Sequence, residues 1–306
     1  MNGVTGVMKS PSRLDLVAAI GARAWRERLQ ADGTAADGLA LRFADVSPIH
    51  RAFAPMARDQ TFDLSEMAIV TALQALAYGK PLLLLPVTVA ARFQQRCLIA
   101  RRSDRPLRVE DLPGRRVGVR AYTQTTGVWI RGILQNDYGV PPQAIRWVTQ
   151  EGAHLAEYTD PDWVERAPAG RSLVDLLRAG DIDAAILGND LPDDPDLVPV
   201  IADPDAAAKE WFAKHGVIPI NHMVMVRKDI AAAQPEAVRA LWRALVRAEP
   251  PASSSPRMTA VGVAPNRRGL ETVLRYCGQQ KLLPATMTVD DIFADTIAVL
   301  GDAARG

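Results

Sequence analysis

Between the breaker Gly79-Lys80-Pro81 and Arg92 runs LLLLPVTVAA, ten residues without a charged side chain. A strand wetted on one face alternates apolar and polar residues. An unbroken apolar run of this length reads instead as a strand buried on both faces. Such a strand needs helices on each side of its sheet, so the chain is constrained to the α/β class. The run is too short to cross a bilayer, which takes about 20 apolar residues, and Pro86 interrupts it. Just before it, Ala68 to Tyr78 has helical spacing and meets Gly79 and Pro81, the pattern of a helix stop.

The same alternation continues along the chain. Leu14–Ile20 is a first strand and RCLIAR (Arg96–Arg101) another. RVGVR (Arg116–Arg120) is a strand, AYTQTTG (Ala121–Gly127) a turn, and Val128–Tyr138 a helix with threonines in capping position. Ile145–Thr149 is a strand, Ser172–Ala179 an amphipathic helix closed by Gly180, and Asp183–Gly188 a buried strand. Asn221–Lys228 reads as a return strand, followed by helices at Gln234–Arg247 and Asn266–Gln280 around the loop PPASSSP (Pro250–Ser255). Strands alternating with helices predict a largely parallel sheet with right-handed crossovers. No fixed-period repeat is present, which excludes a solenoid or propeller.

A length of 306 residues suits one large α/β unit or two lobes of about 150 residues. Lys and Arg total 36 against 35 Asp and Glu, a net charge of +1, so the basic stripe of a nucleic-acid-binding protein is missing. Met1 to Arg13 is Gly/Ser/Pro-rich, and Asp15 interrupts the apolar stretch Leu14–Ala22. Neither reads as an export signal, and the expected setting is cytoplasmic. Cys97 and Cys277 have neither CxxC nor metal-ligand spacing and read as reduced, buried thiols.

Chemistry concentrates where strands end. The turn Arg120–Thr126 joins a strand to a helix, and ligands of open α/β sheets bind beyond the carboxyl ends of strands. A helix start offers unpaired N–H groups and a positive partial charge, both suited to a carboxylate. Thr123, Thr125 and Thr126 add hydroxyls, Gln124 an amide, and Arg120 a guanidinium fork. Two roles are open to the threonines, capping the helix or contacting an anion. Ser65 and Glu66 follow a strand-like segment and are expected to open a helix. Glu66 there either receives phenolic hydroxyls or merely stabilises the helix dipole. His154 and His222 are the proton-transfer candidates, since imidazole titrates nearest neutrality. His50 and His215 read as surface or loop residues. No G-x-S-x-G elbow or P-loop occurs, and no compact metal motif supports a site at His154, Glu157 and His222.

The strings FDLSEMAIVTALQALAYGKPLLLLP, RVGVRAYTQTTGVWIRGILQNDYGV, IRWVTQEGAHLAEY, ERAPAG, DIDAAILG and INHMVMVRKDI resemble the 4,5-dihydroxyphthalate decarboxylase family from Phe62 to about Ile230. ANRRGLETVLRYCGQQ continues the likeness more weakly. The resemblance implies a two-lobed, type II periplasmic-binding-protein-like α/β fold with the ligand cleft between the lobes. One lobe would comprise 13–98 and 222–306 and the other 99–221, after a flexible leader at 1–12. It implies a cofactor-independent carboxy-lyase that converts 4,5-dihydroxyphthalate to protocatechuate and carbon dioxide. His154, His222 and Glu66 would then be catalytic. Ser65, Arg92, Arg120, Thr123, Gln124, Thr125, Thr126 and Asn221 would bind substrate. The implied partner is a small aromatic carboxylate, with no metal, nucleic acid or membrane, and self-association is left open. Family members carry an Asp-Arg pair soon after the first strand. Here that stretch is Ala18–Arg23, without aspartate, and Arg23 is the candidate for the arginine. The competing readings of the same fold are a non-catalytic solute-binding protein and a different lyase.

Overall fold

The computed structural model describes residues 14–31, 38–188, 191–252 and 254–306; the expected leader at 1–12 lies outside them. The described residues form twelve strands and ten α-helices, distributed over two six-stranded sheets. In chain order the first part gives β1 (Leu14–Ala19), α1 (Arg23–Ala31), β2 (Leu39–Phe43), α2 (Phe53–Asp59), β3 (Leu64–Ala68), α3 (Ile69–Ala77) and β4 (Leu82–Ala91). The chain then crosses to β5 (Leu98–Arg101), β6 (Arg116–Val119), α4 (Thr125–Asp137), β7 (Arg146–Thr149), β8 (Val164–Arg166), α5 (Leu173–Ala179), β9 (Ala184–Ile186) and β10 (Leu197–Pro199). Through α6 (Pro204–His215) it returns to β11 (Ile220–Arg227), α7 (Lys228–Ala233), α8 (Pro235–Ala248), β12 (Ala260–Val261), α9 (Val263–Gln279) and α10 (Val289–Leu300).

The strand orders are β12-β4-β11-β3-β1-β2 and β10-β5-β9-β6-β7-β8. Five strands of each sheet follow one plan, β2-β1-β3-β11-β4 in the first and β7-β6-β9-β5-β10 in the second. In both, the strand that has just crossed over, β11 or β5, runs antiparallel to its neighbours. The sheets are therefore mixed, and the expectation of a largely parallel sheet is corrected. Periodicity shows that a strand is buried but not which way it runs.

Burial on both strand faces is what the apolar runs require. Leu82 and Leu84 of β4 belong to a large core shared by the two sheets, whereas Leu83, Leu85, Val87 and Val89 face a second core under α1 and α8. Met223 and Met225 of β11 face the shared core, and Val224 and Val226 the other. Helices α3, α4 and α9 fill the shared core between the sheets. There Gly132 of α4 is required: a Cβ on it would lie 1.9 Å from the Tyr276 ring of α9. Helix α5 covers the outer face of the second sheet. It is fixed at its start by a Ser172–Asp175 capping box and stopped by Gly180 at φ 79°. Cys97 and Cys277 are both buried free thiols. No helix among the described residues is long and apolar enough to cross a membrane.

Candidate active site between the two sheets

The carboxyl ends of β3, β4 and β6 and the amino end of β11 open on one cleft of about 420 Å³. One wall comes from the first sheet and its connections, with His50, Phe53, Ala68, Thr71, Asn221 and His222. The other comes from the second sheet, with Arg120, the Thr123–Thr126 turn, His154 and Gly188. Arg92, where β4 leaves for the other sheet, lies at the back.

The second wall is a cationic, donor-rich surface. Arg92 Nη2 donates to Thr126 Oγ1 at 3.2 Å. Arg120 Nε lies 3.8 Å from the Glu151 carboxylate, and no hydrogen bond satisfies this buried nitrogen among the described residues. Helix α4 begins at Thr125 with Gln124 as N-cap, and no side chain caps it. The capping role expected of the threonines is thus corrected. Thr125 Oγ1 instead accepts from the Val70 N–H at the start of α3, at 3.3 Å, tying the two halves together behind the cleft. Among the described residues, no aspartate or glutamate lines the cleft. Two guanidinium groups and a helix start on the same cleft favour an anionic ligand.

The two candidate imidazoles stand on opposite walls, His222 on the first and His154 on the second. His222 Nδ1 lies 2.6 Å from Glu66 Oε1, and Glu66 Oε2 accepts the Gly21 and Ala22 N–H groups at 2.8 and 2.7 Å. Burial pushes the Glu66 carboxyl up, but the His222 hydrogen bond and charge and the two amides outweigh it, and the group sits below its ordinary value. An ionised carboxylate only accepts, so His222 donates through Nδ1 and its Nε2 is the nitrogen left for the cleft. His154 Nδ1 lies 2.8 Å from Thr71 Oγ1. Burial, with the charges of Arg120, Arg58 and His50, lowers it to about 4, so it is neutral near pH 7. The Phe53 ring stands edge-on to both imidazoles, with centroids 5.1 Å from His222 and 6.1 Å from His154.

Of the residues singled out in the sequence, the fold brings Arg92, Arg120, Thr123, Gln124, Thr125, Thr126, His154, Asn221 and His222 to one cleft. Ser65 and Glu66 stand elsewhere. They lie within β3, not at a helix start, and the helix begins three residues after Glu66, at Ile69. Ser65 is fully buried, its hydroxyl bonded to the Glu66 carbonyl at 2.7 Å. Glu66 reaches the cleft only through His222. Arg23 is an exposed side chain paired with Glu27, not a substitute for a cleft arginine. The Gly21–Ala22 backbone beside it does serve the site, through Glu66.

His50 was expected at the surface and lines the cleft, together with Phe53 and Thr71. His215 closes α6, its Nε2 2.8 Å from Asp137. Glu157 is paired with Lys80 at 2.5 Å, and no group of three or more His, Cys, Asp or Glu among the described residues is placed to hold a metal ion. Periodicity carries no signal for His50 or Thr71, because a segment far away in the chain supplies the opposite wall.

No protein-family model matches the chain. Over 207 residues, 61% of its length, it is 30% identical to a 4,5-dihydroxyphthalate decarboxylase of Comamonas testosteroni, of which this covers 60%. Over 169 residues, 51% of its length, it is 27% identical to a 4,5-dihydroxyphthalate decarboxylase of Pseudomonas putida, of which this covers 65%. The matches thus span less than two thirds of either relative. Among solved structures, a periplasmic sulfonate-binding protein of Methylobacillus flagellatus superimposes with a TM-score of 0.55 at 10% identity, over 95% of this chain and 96% of that one. At that identity the likeness establishes the fold alone. Over part of its length the chain is similar to 4,5-dihydroxyphthalate decarboxylases, and its fold is that of the periplasmic binding proteins.

Proposed function

We propose that the chain is a carboxy-lyase for a hydroxylated aromatic dicarboxylate, converting 4,5-dihydroxyphthalate to protocatechuate and carbon dioxide. The observation that carries this reading is the opposition of the two walls. Arg92, Arg120, the α4 start and a neutral His154 face a His222 backed by the Glu66 carboxylate. Similarity to decarboxylases of that name points the same way.

In this substrate each carboxylate stands para to a hydroxyl, so the ring supplies its own electron push and the reading requires no cofactor. Arg92, Arg120 and the Thr123–Thr126 turn hold the carboxylates. His154, being neutral, accepts a hydrogen bond from a ring hydroxyl. His222, held by Glu66 through Nδ1, donates from Nε2 to the ring carbon bearing the departing carboxylate. As the para hydroxyl releases its proton, the ring becomes a dearomatised, ketone-like intermediate. The carbon–carboxylate bond then breaks, carbon dioxide leaves, and the bonding pair restores the aromatic ring. The phenolate regains a proton and solvent reprotonates His222, so one substrate dianion and one proton yield one protocatechuate and one carbon dioxide. Walls that exclude water strengthen each of these contacts.

The test incubates purified protein with 4,5-dihydroxyphthalate and follows protocatechuate and carbon dioxide in equal amounts. Tight binding of the dicarboxylate without turnover would replace this reading with that of a solute-binding protein.

A further inference from the structure

Arg131 of α4 is fully buried, a costly place for a charge that no carboxylate among the described residues pairs with directly. Its Nη2 donates to the Tyr122 carbonyl, and its Nε donates to Gln280 Oε1 at 2.7 Å. The guanidinium carbon lies 4.0 Å from the Tyr122 ring centroid and 5.0 Å from that of Trp147. Gln280 is itself held, its Nε2 donating to the Val128 carbonyl of α4 at 2.9 Å. The outer end of the stack is fastened by Trp163 Nε1, 3.0 Å from the Tyr122 hydroxyl. All of this converges on one peptide, Tyr122–Thr123, in the turn that faces the cleft.

That peptide is trans, the only cis bonds among the described residues being Ser47–Pro48 and Ser255–Pro256. A trans peptide points its carbonyl and its N–H in opposite directions. With the Tyr122 oxygen bonded to Arg131, the Thr123 N–H points the opposite way, and Thr123 lines the cleft. Among the described residues this N–H donates no hydrogen bond. A buried donor of that kind calls for an acceptor.

We propose that Arg131 is a positioning residue that locks the Tyr122–Thr123 peptide in the orientation presenting the Thr123 N–H to a substrate carboxylate. The inference rests on the carboxylate-binding reading of the cleft. Without Arg131 the peptide is free to turn over, and the cleft would then offer a carbonyl oxygen, which repels an anion. Arg131 touches no substrate, so its effect falls on carboxylate recognition and not on the ring.

The test is calorimetric binding of phthalate, a dicarboxylate without the reactive hydroxyls, and of catechol, which has no carboxylate. Arg131→Met removes the inward anchor. Gln280→Met leaves the guanidinium but frees its Nε, a smaller change for the case in which the first variant does not fold. Phthalate affinity is expected to fall about ten-fold or more in Arg131→Met and about three-fold in Gln280→Met, with catechol affinity within two-fold of wild type in both. Arg131→Lys, which retains one donor for the carbonyl, is expected to fall between wild type and Arg131→Met. Folded variants that bind phthalate like wild type, or lose phthalate and catechol equally, overturn the positioning role alone. Wild-type protein that binds no phthalate overturns the functional reading and this one with it.

Discussion

Glu66 shows how far a side chain's role depends on what stands in front of it. It is a carboxylate in the middle of a buried strand, 2% exposed, bonded to two backbone amides and one imidazole. A buried carboxylate persists only where such partners replace water. Its consequence falls on His222, whose Nδ1–H it holds and whose ring it orients. Glu66→Gln keeps the shape and removes the charge, so His222 Nδ1 loses its charged acceptor. Turnover of 4,5-dihydroxyphthalate is expected to fall about 10- to 100-fold in this variant, with a smaller change in KM, as steady-state kinetics would show. An unchanged kcat would remove the pair from the proton-transfer step. The sequence marked Glu66 and His222 separately. Their union was not legible there, because 156 residues separate them and only the β3–β11 pairing joins them.

At the scale of elements, the crossing of α4 over α9 decides how closely the second half packs on the helices of the first. Gly132 lets the Tyr276 ring sit against the α4 backbone, and a Cβ there would meet three ring carbons at 2.3 Å or less. A rigid aromatic ring in a filled core cannot yield cheaply. Gly132→Ala is expected to destabilise the protein by at least about 2 kcal/mol despite alanine's better helix propensity, as measured by urea unfolding. The amphipathic and apolar runs made most elements readable, and the breakers Gly79 and Gly180 placed their ends. What the runs hid was the mixed direction of the strands and the true start of α4. Thr125 looked like a cap by residue type, yet its hydroxyl is taken by Val70 from another helix. Propensity describes what a residue does locally, and here a tertiary partner prevailed.

For the whole molecule, acid stability collects these local arrangements. His154 has a folded value of about 4 against about 6.5 when exposed, so the unfolded chain binds more protons between those limits. Stability therefore rises with pH across this window. It is fully retained above about pH 6.5 and falls as the pH drops towards 4, by up to roughly 3 kcal/mol from this group. Glu66 acts with the same sign: its stabilisation is present above the ordinary carboxylate range and is lost as pH falls through its lowered folded value. Denaturant titrations at pH 7 and pH 4.5 are expected to show the difference, and His154→Asn to reduce it. A slope unchanged by that variant would assign the acid sensitivity elsewhere.

The strand order also bears on how the molecule comes to be made. The second sheet draws all its strands from one continuous stretch, residues 98–199. The first has β11, residues 220–227, inserted between β3 and β4. A chain emerging from the ribosome amino end first can thus complete the second sheet while the first still has a gap at its centre. Until β11 arrives, β3 and β4 have no common partner, and the most apolar strand of the chain waits with an open edge. The segment that supplies His222 to the cleft is the same one that closes that gap, so the site cannot assemble before the sheet is whole.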